Sequence, residues 1–97
     1  MSTELTTRNT CVQVRGLSFG DALVFLKGGD RVAREGWNGK KMYIYYKPEG
    51  SKENPMDGVV YTRLPYLIMK TAQDELVPWL ASQTDMLADD WSIVGEN

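Results

Sequence analysis

The chain contains no histidine and one cysteine, Cys11, among its 97 residues. Without histidine, Ser-His-Asp and Cys-His catalysis are excluded, because both arrangements need an imidazole base. A structural zinc site is disfavoured for the same reason, and a lone cysteine cannot form an intrachain disulfide. The sequence therefore predicts no cofactor and favours binding over turnover.

Long apolar segments are also missing from the sequence. No run of apolar residues approaches the roughly 20 that an α-helix needs to cross a bilayer. Residues 1–4 lack the basic segment and apolar core with which a secretory signal peptide begins. We therefore expect a cytoplasmic protein without a membrane partner.

Positive charge is scarce in the second half of the chain. The net charge is −2, but residues 1–48 hold eight Lys and Arg against four Asp and Glu, and residues 49–97 hold three against nine. A basic first half could attract a phosphate ligand or the acidic half of a neighbouring subunit, although a solvated mixture of surface charges explains the same counts. A protein that binds a nucleic acid polymer would be more basic overall, so no such partner is expected.

The composition is that of one small domain. With 42% hydrophobic and 10% aromatic residues, the chain can bury an ordinary core but has little interior depth. Any sizeable ligand site is therefore expected at the surface or between subunits. We predict a flexible N-terminal extension over residues 1–16, in which residues 11–14 could add an edge strand, and a single ligand-binding domain over residues 17–97.

An amphipathic helix is predicted at the start of that domain. Ser18, with Asp21 three residues later, has the spacing of a helix N-terminal cap. Gly28 and Gly29 follow the last apolar residues, and a glycine free to adopt positive φ closes a helix at low cost. The helix is expected to be structural.

A β-hairpin is predicted over residues 31–46, with Asn38 and Gly39 as a two-residue turn. That turn would pair Arg34 with Tyr43 and place them on one face with Tyr45. An arginine beside two phenols could bind an anionic, ring-bearing ligand, or could be an ordinary solvent-facing sheet surface. The other face would carry Ala33, Trp37, Met42, Ile44 and Tyr46.

The remaining sequence predicts a second hairpin, a short helix and a final strand. Residues 48–58 are predicted to be a loop of about ten residues, because two prolines and two glycines interrupt any period. A strand at residues 66–71 should pair with residues 76–77, and Pro78 should end the ladder. Ser82 or Thr84 should cap a short helix before a strand at residues 91–94.

The fold class is therefore α+β: a small antiparallel sheet of two hairpins plus a final strand, one N-terminal amphipathic helix and one short C-terminal helix.

The stretch over residues 76–94 carries the clearest signs of a binding site. Trp79 and Trp91 bracket a run of small polar residues, which places large aromatic faces close to hydroxyl and amide groups. An aromatic plane can stack on a base, while polar groups orient sugar and phosphate. Alternatively, both rings belong to the core.

Two motifs in the chain are long and unusual in composition: AREGWNGK at residues 33–40 and VPWLASQTDMLADDW at residues 77–91. Through them the chain resembles, over residues 17–94, the Thoeris anti-defence 2 family of small phage proteins. The resemblance implies a sponge that binds a cyclic ADP-ribose-type immune messenger without cleaving it, in the host cytoplasm. Some relatives take cyclic dinucleotides in a separate pocket, and the family resemblance implies a homotetramer with sites between subunits.

The same resemblance implies roles for individual residues. Trp37 and Trp79 would stack near an adenine or shape its pocket, and Arg34 would contact phosphate. The hydrogen-bonding groups would be Asn38, Ser82, Gln83, Thr84 and Asp85.

Two other functions stay open at this point. Asp85, Asp89 and Asp90 are clustered carboxylates, so an enzyme that modifies a nucleotide with a metal ion is one alternative. The same residues also have a purely structural explanation. Asp85 would be a charge that caps the short helix, and Asp89-Asp90 would be a solvated joint between that helix and the final strand. A module that binds a host protein through its aromatic surface is the other alternative.

Overall fold

The computed structural model describes residues 12–95, and within them a six-stranded antiparallel sheet forms the body of the protein. In chain order the elements are β1 (Val12–Leu17), α1 (Phe19–Lys27), β2 (Arg31–Arg34), a 3₁₀ helix (Glu35–Lys40), β3 (Tyr43–Lys47), β4 (Gly50–Glu53), β5 (Val60–Arg63), β6 (Tyr66–Lys70), β7 (Leu76–Pro78), α2 (Gln83–Met86) and β8 (Trp91–Val94). The strand order in the large sheet is β1-β8-β2-β3-β6-β7, so the final strand of the chain lies between β1 and β2. A second sheet contains only β4 and β5.

The predicted fold class is confirmed. The protein is α+β, with one helix near its N-terminus, a short helix near its C-terminus and antiparallel pairing throughout the large sheet. Strand β1 pairs with β8 at one edge of the sheet, so residues 12–16 of the predicted extension are part of the sheet. The rest of that extension, residues 1–11, lies outside the described residues.

Helix α1 follows its sequence signals. The Ser18 hydroxyl accepts a hydrogen bond from the Asp21 amide at 3.1 Å, which satisfies one of the free donors of the first turn. The chain leaves the helix through Gly28 and then Gly29, whose φ of +104° suits glycine. Ala22 and Leu26, four residues apart on one face, are fully buried.

The core lies between α1 and one face of the sheet. Val32, Ile44 and Trp91 are fully buried there, against Ala22 and Leu26 of the helix. Phe19, Trp37, Tyr46 and Trp79 are among the partly buried side chains that pack around this cluster. Trp91 is the largest fully buried side chain among the described residues, so β8 anchors the core.

The predicted two-residue turn between β2 and β3 is wrong. Residues 35–40 form a 3₁₀ helix instead, followed by Lys41 at φ 57°. The longer connection pairs Val32 with Ile44, whereas a turn at Asn38-Gly39 would pair Val32 with Tyr45. This one-residue change of register reverses which side chains of β2 share a face with which side chains of β3.

The face assignments change accordingly. Val32 and Arg34 lie on the face that α1 covers, since Arg34 pairs with the buried Trp91. Tyr43 and Tyr45 lie on the other face with Ala33, which was predicted to lie on the face opposite to theirs. The prediction that groups Arg34 with the two tyrosines is therefore wrong, while that of a shared face for Ile44 and Tyr46 is correct.

The predicted loop at residues 48–58 is also wrong, because β4 and β5 form a hairpin. Polar side chains shape its turn: Asn54 Oδ1 accepts from the Met56 amide at 2.8 Å, and Asp57 Oδ1 accepts from the Val59 amide at 2.9 Å. The sequence of β4, GSKE, lacks the β-branched and aromatic residues that are typical of a strand. The hairpin of β6 and β7 was predicted correctly, and Pro78 is the last residue of β7.

Candidate functional site

The three tryptophans form one aromatic cluster beside α1. Trp37, Trp79 and Trp91 have ring centroids 5.4–6.2 Å apart, and each pair meets edge to face at 79–84°. Phe19 joins them at 5.3 Å from Trp91 and 6.1 Å from Trp79. Trp91 is fully buried, whereas Trp37 and Trp79 stay partly exposed at the rim.

Trp37 and Trp79 are therefore the rings available to a ligand. Edge-to-face packing against Trp91 holds both rings in fixed orientations, which lowers the entropy lost when a base stacks on them. Trp79 is fixed further by its backbone amide, which donates to the Leu67 carbonyl at 2.9 Å and continues the β6–β7 ladder by one bond. Trp91, the other candidate ring, is a core residue.

Arg34 lies at the end of β2 and binds two carboxylates. Its Nε donates to Asp90 Oδ1 at 2.9 Å and its Nη1 donates to Asp85 Oδ1 at 3.1 Å, with a longer contact from Nη2 to Asp90 Oδ2 at 3.4 Å. The hydrogen bonds to Asp90 and then Asp85 raise the pKa of Arg34 above its usual value, so it carries its charge at every accessible pH. Asp90 was predicted as a candidate only for the enzyme alternative and not as a ligand-binding residue.

Helix α2 begins with a reciprocal cap between Ser82 and Asp85. The Asp85 amide donates to the Ser82 hydroxyl at 3.1 Å, and the Ser82 amide donates to Asp85 Oδ2 at 3.0 Å. Ser82 is therefore the cap and Thr84 lies within the helix. Ser82 and Asp85 were both predicted to hydrogen-bond a ligand, and in the structure they hydrogen-bond each other.

Asp85 also connects the cap to the aromatic cluster. Its carbonyl accepts a hydrogen bond from Trp91 Nε1 at 3.0 Å, so the buried indole has its donor satisfied. Burial alone would raise the pKa of Asp85, but hydrogen bonds from the Ser82 backbone, the Ser82 side chain and Arg34 together outweigh burial and lower that pKa. Asp85 is therefore ionised at neutral pH.

The structure brings together five of the eight predicted site residues. Arg34, Ser82 and Asp85 form one hydrogen-bonded group, which Trp91 joins to Trp37 and Trp79. Gln83 and Thr84 are exposed on α2, next to this group. The side chain of Asn38 lies outside the described part of the structure.

A different arginine lies beside the two phenols. Arg31 is 4.8 Å from the centre of the Tyr43 ring on the face opposite α1, and Tyr45 is 6.3 Å from Tyr43. Lys70 Nζ approaches the same ring at 5.9 Å. The predicted arrangement of an arginine beside phenol rings therefore exists with Arg31 in place of Arg34. The observed register of β2 and β3 explains the difference, because it places Arg31 and not Arg34 on the face of Tyr43.

A comparison with protein families identifies the relationship. A family model for the Thoeris anti-defense 2-like domain matches residues 17–94. The chain belongs to this family. A curated relative, Thoeris anti-defense 2 of Bacillus phage SP01, is 37% identical in an alignment 86 residues long, and the alignment covers 80% of this chain and 94% of the relative.

Membership of the Thoeris anti-defense 2-like family gives the protein a phage anti-defence role. The matched range contains every predicted site residue, both partners of Arg34 and the whole aromatic cluster. Within residues 12–95 no helix is long and apolar enough to cross a membrane. In the same part of the chain, no group of three or more Cys, Asp or Glu is arranged to hold a metal ion.

Proposed function

We propose that this member of the Thoeris anti-defense 2-like family binds a cyclic ADP-ribose-type signalling nucleotide and sequesters it uncleaved. Removal of the messenger would keep a bacterial immune effector inactive in the host cytoplasm. Cyclic dinucleotides are a second ligand class to be tested. The observation that carries the proposal is the pair Trp37 and Trp79, two partly exposed rings that meet edge to face and that both pack on Trp91, whose Nε1 donates to the Asp85 carbonyl of α2.

The aromatic pair suits a nucleotide base. Stacking of a base on a protein ring contributes about 1–3 kcal/mol. Because Trp37 and Trp79 are nearly perpendicular, a base that stacks on one ring can contact the other ring with its edge. Gln83 and Thr84 lie exposed on the neighbouring α2, where an amide and a hydroxyl can both donate to and accept from a ribose. These groups recognise a base and a sugar without any reactive centre.

The state of the carboxylates argues against turnover. Asp85 and Asp90 both accept hydrogen bonds from Arg34, and the lowered pKa of Asp85 leaves that residue without a proton to donate near neutral pH. The sequence contains no histidine to serve as an alternative base. A nucleotide-modifying enzyme would have to use these two engaged carboxylates or the exposed Asp89.

Recovery of the ligand separates a sponge from an enzyme. The protein is incubated with a cyclic ADP-ribose isomer that carries a ribose–ribose linkage, then denatured by heat, and the released nucleotide is analysed by mass spectrometry. The proposal predicts the intact starting molecule in an amount equal to that bound. A product of altered mass would replace the proposal by the enzyme alternative.

We also propose a homotetramer with ligand sites between subunits. A chain of 11.0 kDa has little interior depth, and both candidate rings lie at its surface, where a second subunit can close the site. Light scattering after size-exclusion chromatography should give a mass near four times that of the chain. A monomeric mass that is unchanged by ligand would contradict the assembly without affecting the binding proposal.

The β4–β5 hairpin favours a protein-interaction role as the second candidate function. Val60 and Leu64 are 64% and 72% exposed, and Met56 at the turn is 90% exposed, which is a large apolar surface for so small an element. Purified protein that binds no nucleotide in the panel but captures a host polypeptide would favour this candidate. Loss of that capture on Val60→Lys would locate the interaction on the hairpin.

A further inference from the structure

The segment over residues 80–90 buries little apolar surface: Ala88 packs, partly buried, against the core cluster, and most of the other apolar side chains of the segment are exposed. Its helix, α2, has no buried residue, and Leu80 and Leu87 are 91% and 79% exposed. A helix of four residues does not form by itself in water, because nucleation costs more than its few hydrogen bonds return. Something outside the segment must therefore fix its position.

Asp85 is the point at which this segment is fixed. Four of its groups are engaged: Oδ2 and the amide bind Ser82, the carbonyl binds Trp91 Nε1, and Oδ1 binds Arg34. Only the last two bonds leave the segment, and they join it to β8 and to β2. Asp90, at the other end of the segment, is bound by Arg34 as well.

Arg34 therefore joins both ends of the segment to β2. Its guanidinium donates to a residue of α2 and to the residue that precedes β8, and its planar fork suits two carboxylates better than a lysine would. The guanidinium is partly buried, with 23% of the side chain exposed, so solvent screens these pairs less than it would at a free surface.

The charge balance at Arg34 disfavours direct contact with a phosphate. One positive charge faces two carboxylates, one of which is Asp85 with its lowered pKa. The group as a whole is net negative at neutral pH, and a negative group repels an anionic ligand. A phosphate would have to displace a carboxylate from Arg34 and leave that carboxylate unpaired.

We propose that Arg34 is a positioning residue: by holding Asp85 and Asp90, it keeps α2 beside Trp37 and Trp79 and does not itself bind the ligand phosphate. Arg34 then affects the affinity for the nucleotide indirectly, because it fixes the position of Gln83 and Thr84. This inference rests on the proposed nucleotide site, but its structural part can be measured without ligand.

Asp90→Asn separates the two roles of Arg34. If Arg34 contacts phosphate, removal of a competing carboxylate frees the guanidinium and lowers repulsion, so binding tightens. If Arg34 positions α2, loss of the ion pair loosens the segment, and the affinity for the ribose–ribose-linked cyclic ADP-ribose isomer falls by about tenfold, the size of one charge-assisted hydrogen bond. Equal or tighter binding by Asp90→Asn would overturn the proposal.

Asp89→Asn is the matched control, because it makes the same change of charge and shape at the exposed neighbouring residue. Hydrogen–deuterium exchange of the ligand-free proteins gives the structural readout. Amides of residues 82–90 should exchange faster in Asp90→Asn than in wild type and Asp89→Asn. Unchanged exchange in Asp90→Asn would refute the positioning role even if no nucleotide in the panel binds, which separates this test from that of the proposed function.

Arg34→Lys provides a second, independent variant. Lysine keeps the positive charge but cannot bind two carboxylates through a planar fork. The proposal predicts faster exchange over residues 82–90 and affinity as low as that of Arg34→Ala, with binding no more sensitive to salt than in wild type. Affinity close to wild type in Arg34→Lys would instead indicate a simple charge contact with phosphate and overturn the proposal.

Discussion

At the residue scale, Trp79 and Trp91 bracket the same polar segment but have different surroundings. Trp91 is fully buried and its Nε1 donates to the Asp85 carbonyl, whereas Trp79 lies at the rim of the cluster with part of its ring exposed. The aromatic side chain that stabilises the fold is therefore separate from the one that is available to a ligand.

Alanine substitution should separate these two rings. Trp91→Ala is expected to lower the free energy of unfolding by about 3–5 kcal/mol, because it empties a large buried volume. It also leaves the Asp85 carbonyl without the Trp91 donor. Trp79→Ala should cost clearly less stability and act on nucleotide affinity. Urea denaturation followed by circular dichroism measures the stability of the two variants. An equal loss of stability would contradict a rim position for Trp79.

Asp85 also makes stability depend on pH. Its pKa in the folded protein is below the unfolded value of about 3.9. Its contribution is thus fully present above that unfolded value, and it is lost as the pH falls through the lower folded pKa. Urea denaturation between pH 6 and pH 2 should show the decline below about pH 4. Asp85→Asn should show a shallower decline, and identical slopes in the two proteins would contradict the contribution of Asp85.

At the scale of single elements, capping residues explain where the helices lie. Ser18 caps α1 and Ser82 caps α2, each with an aspartate three residues later. The cap of α1 could be predicted from the sequence, and that of α2 was narrowed to Ser82 or Thr84, because the signal lies within four residues and its hydrogen bonds are local. The strands β6, β7 and β8 could be predicted for a similar reason, since alternation and Pro78 mark them without reference to a partner.

The elements that were predicted wrongly depend on contacts beyond their own residues. Asn38-Gly39 has the local preference for a two-residue turn, yet the 3₁₀ helix there packs Trp37 onto Trp91 and Trp79. Tertiary packing of one tryptophan thus overrides the turn propensity. Arg34 was assigned to the wrong face for the same reason, and its partner Asp90 is 56 residues away in sequence.

Gly29 offers a test of how α1 ends. Its φ of +104° is costly for a residue with a Cβ, while no atom lies within 4 Å of where that Cβ would be. Gly29→Ala should therefore lower the free energy of unfolding by about 1–2 kcal/mol through the backbone alone. Gly36→Ala is the matched control, with equally open surroundings and no positive φ. Equal melting temperatures for the two variants would contradict this account.

At the scale of the whole molecule, the two faces of the sheet carry different clusters of side chains. One face is covered by α1 and carries the tryptophan cluster at its rim. The other face presents Tyr43 between Arg31 and Lys70. The family assignment and the aromatic site support one function, the capture of a nucleotide messenger, which needs a fixed binding surface and no catalytic group.

The most direct test of this function is isothermal titration of the wild-type protein and Trp79→Ala with cyclic ADP-ribose isomers and cyclic dinucleotides. We predict saturable binding of a ribose–ribose-linked cyclic ADP-ribose isomer, recovered uncleaved afterwards. Trp79→Ala should weaken that binding by about 1–3 kcal/mol, the contribution of one stacked base. Absence of binding across the panel by folded wild-type protein, or undiminished affinity in Trp79→Ala, would contradict the account.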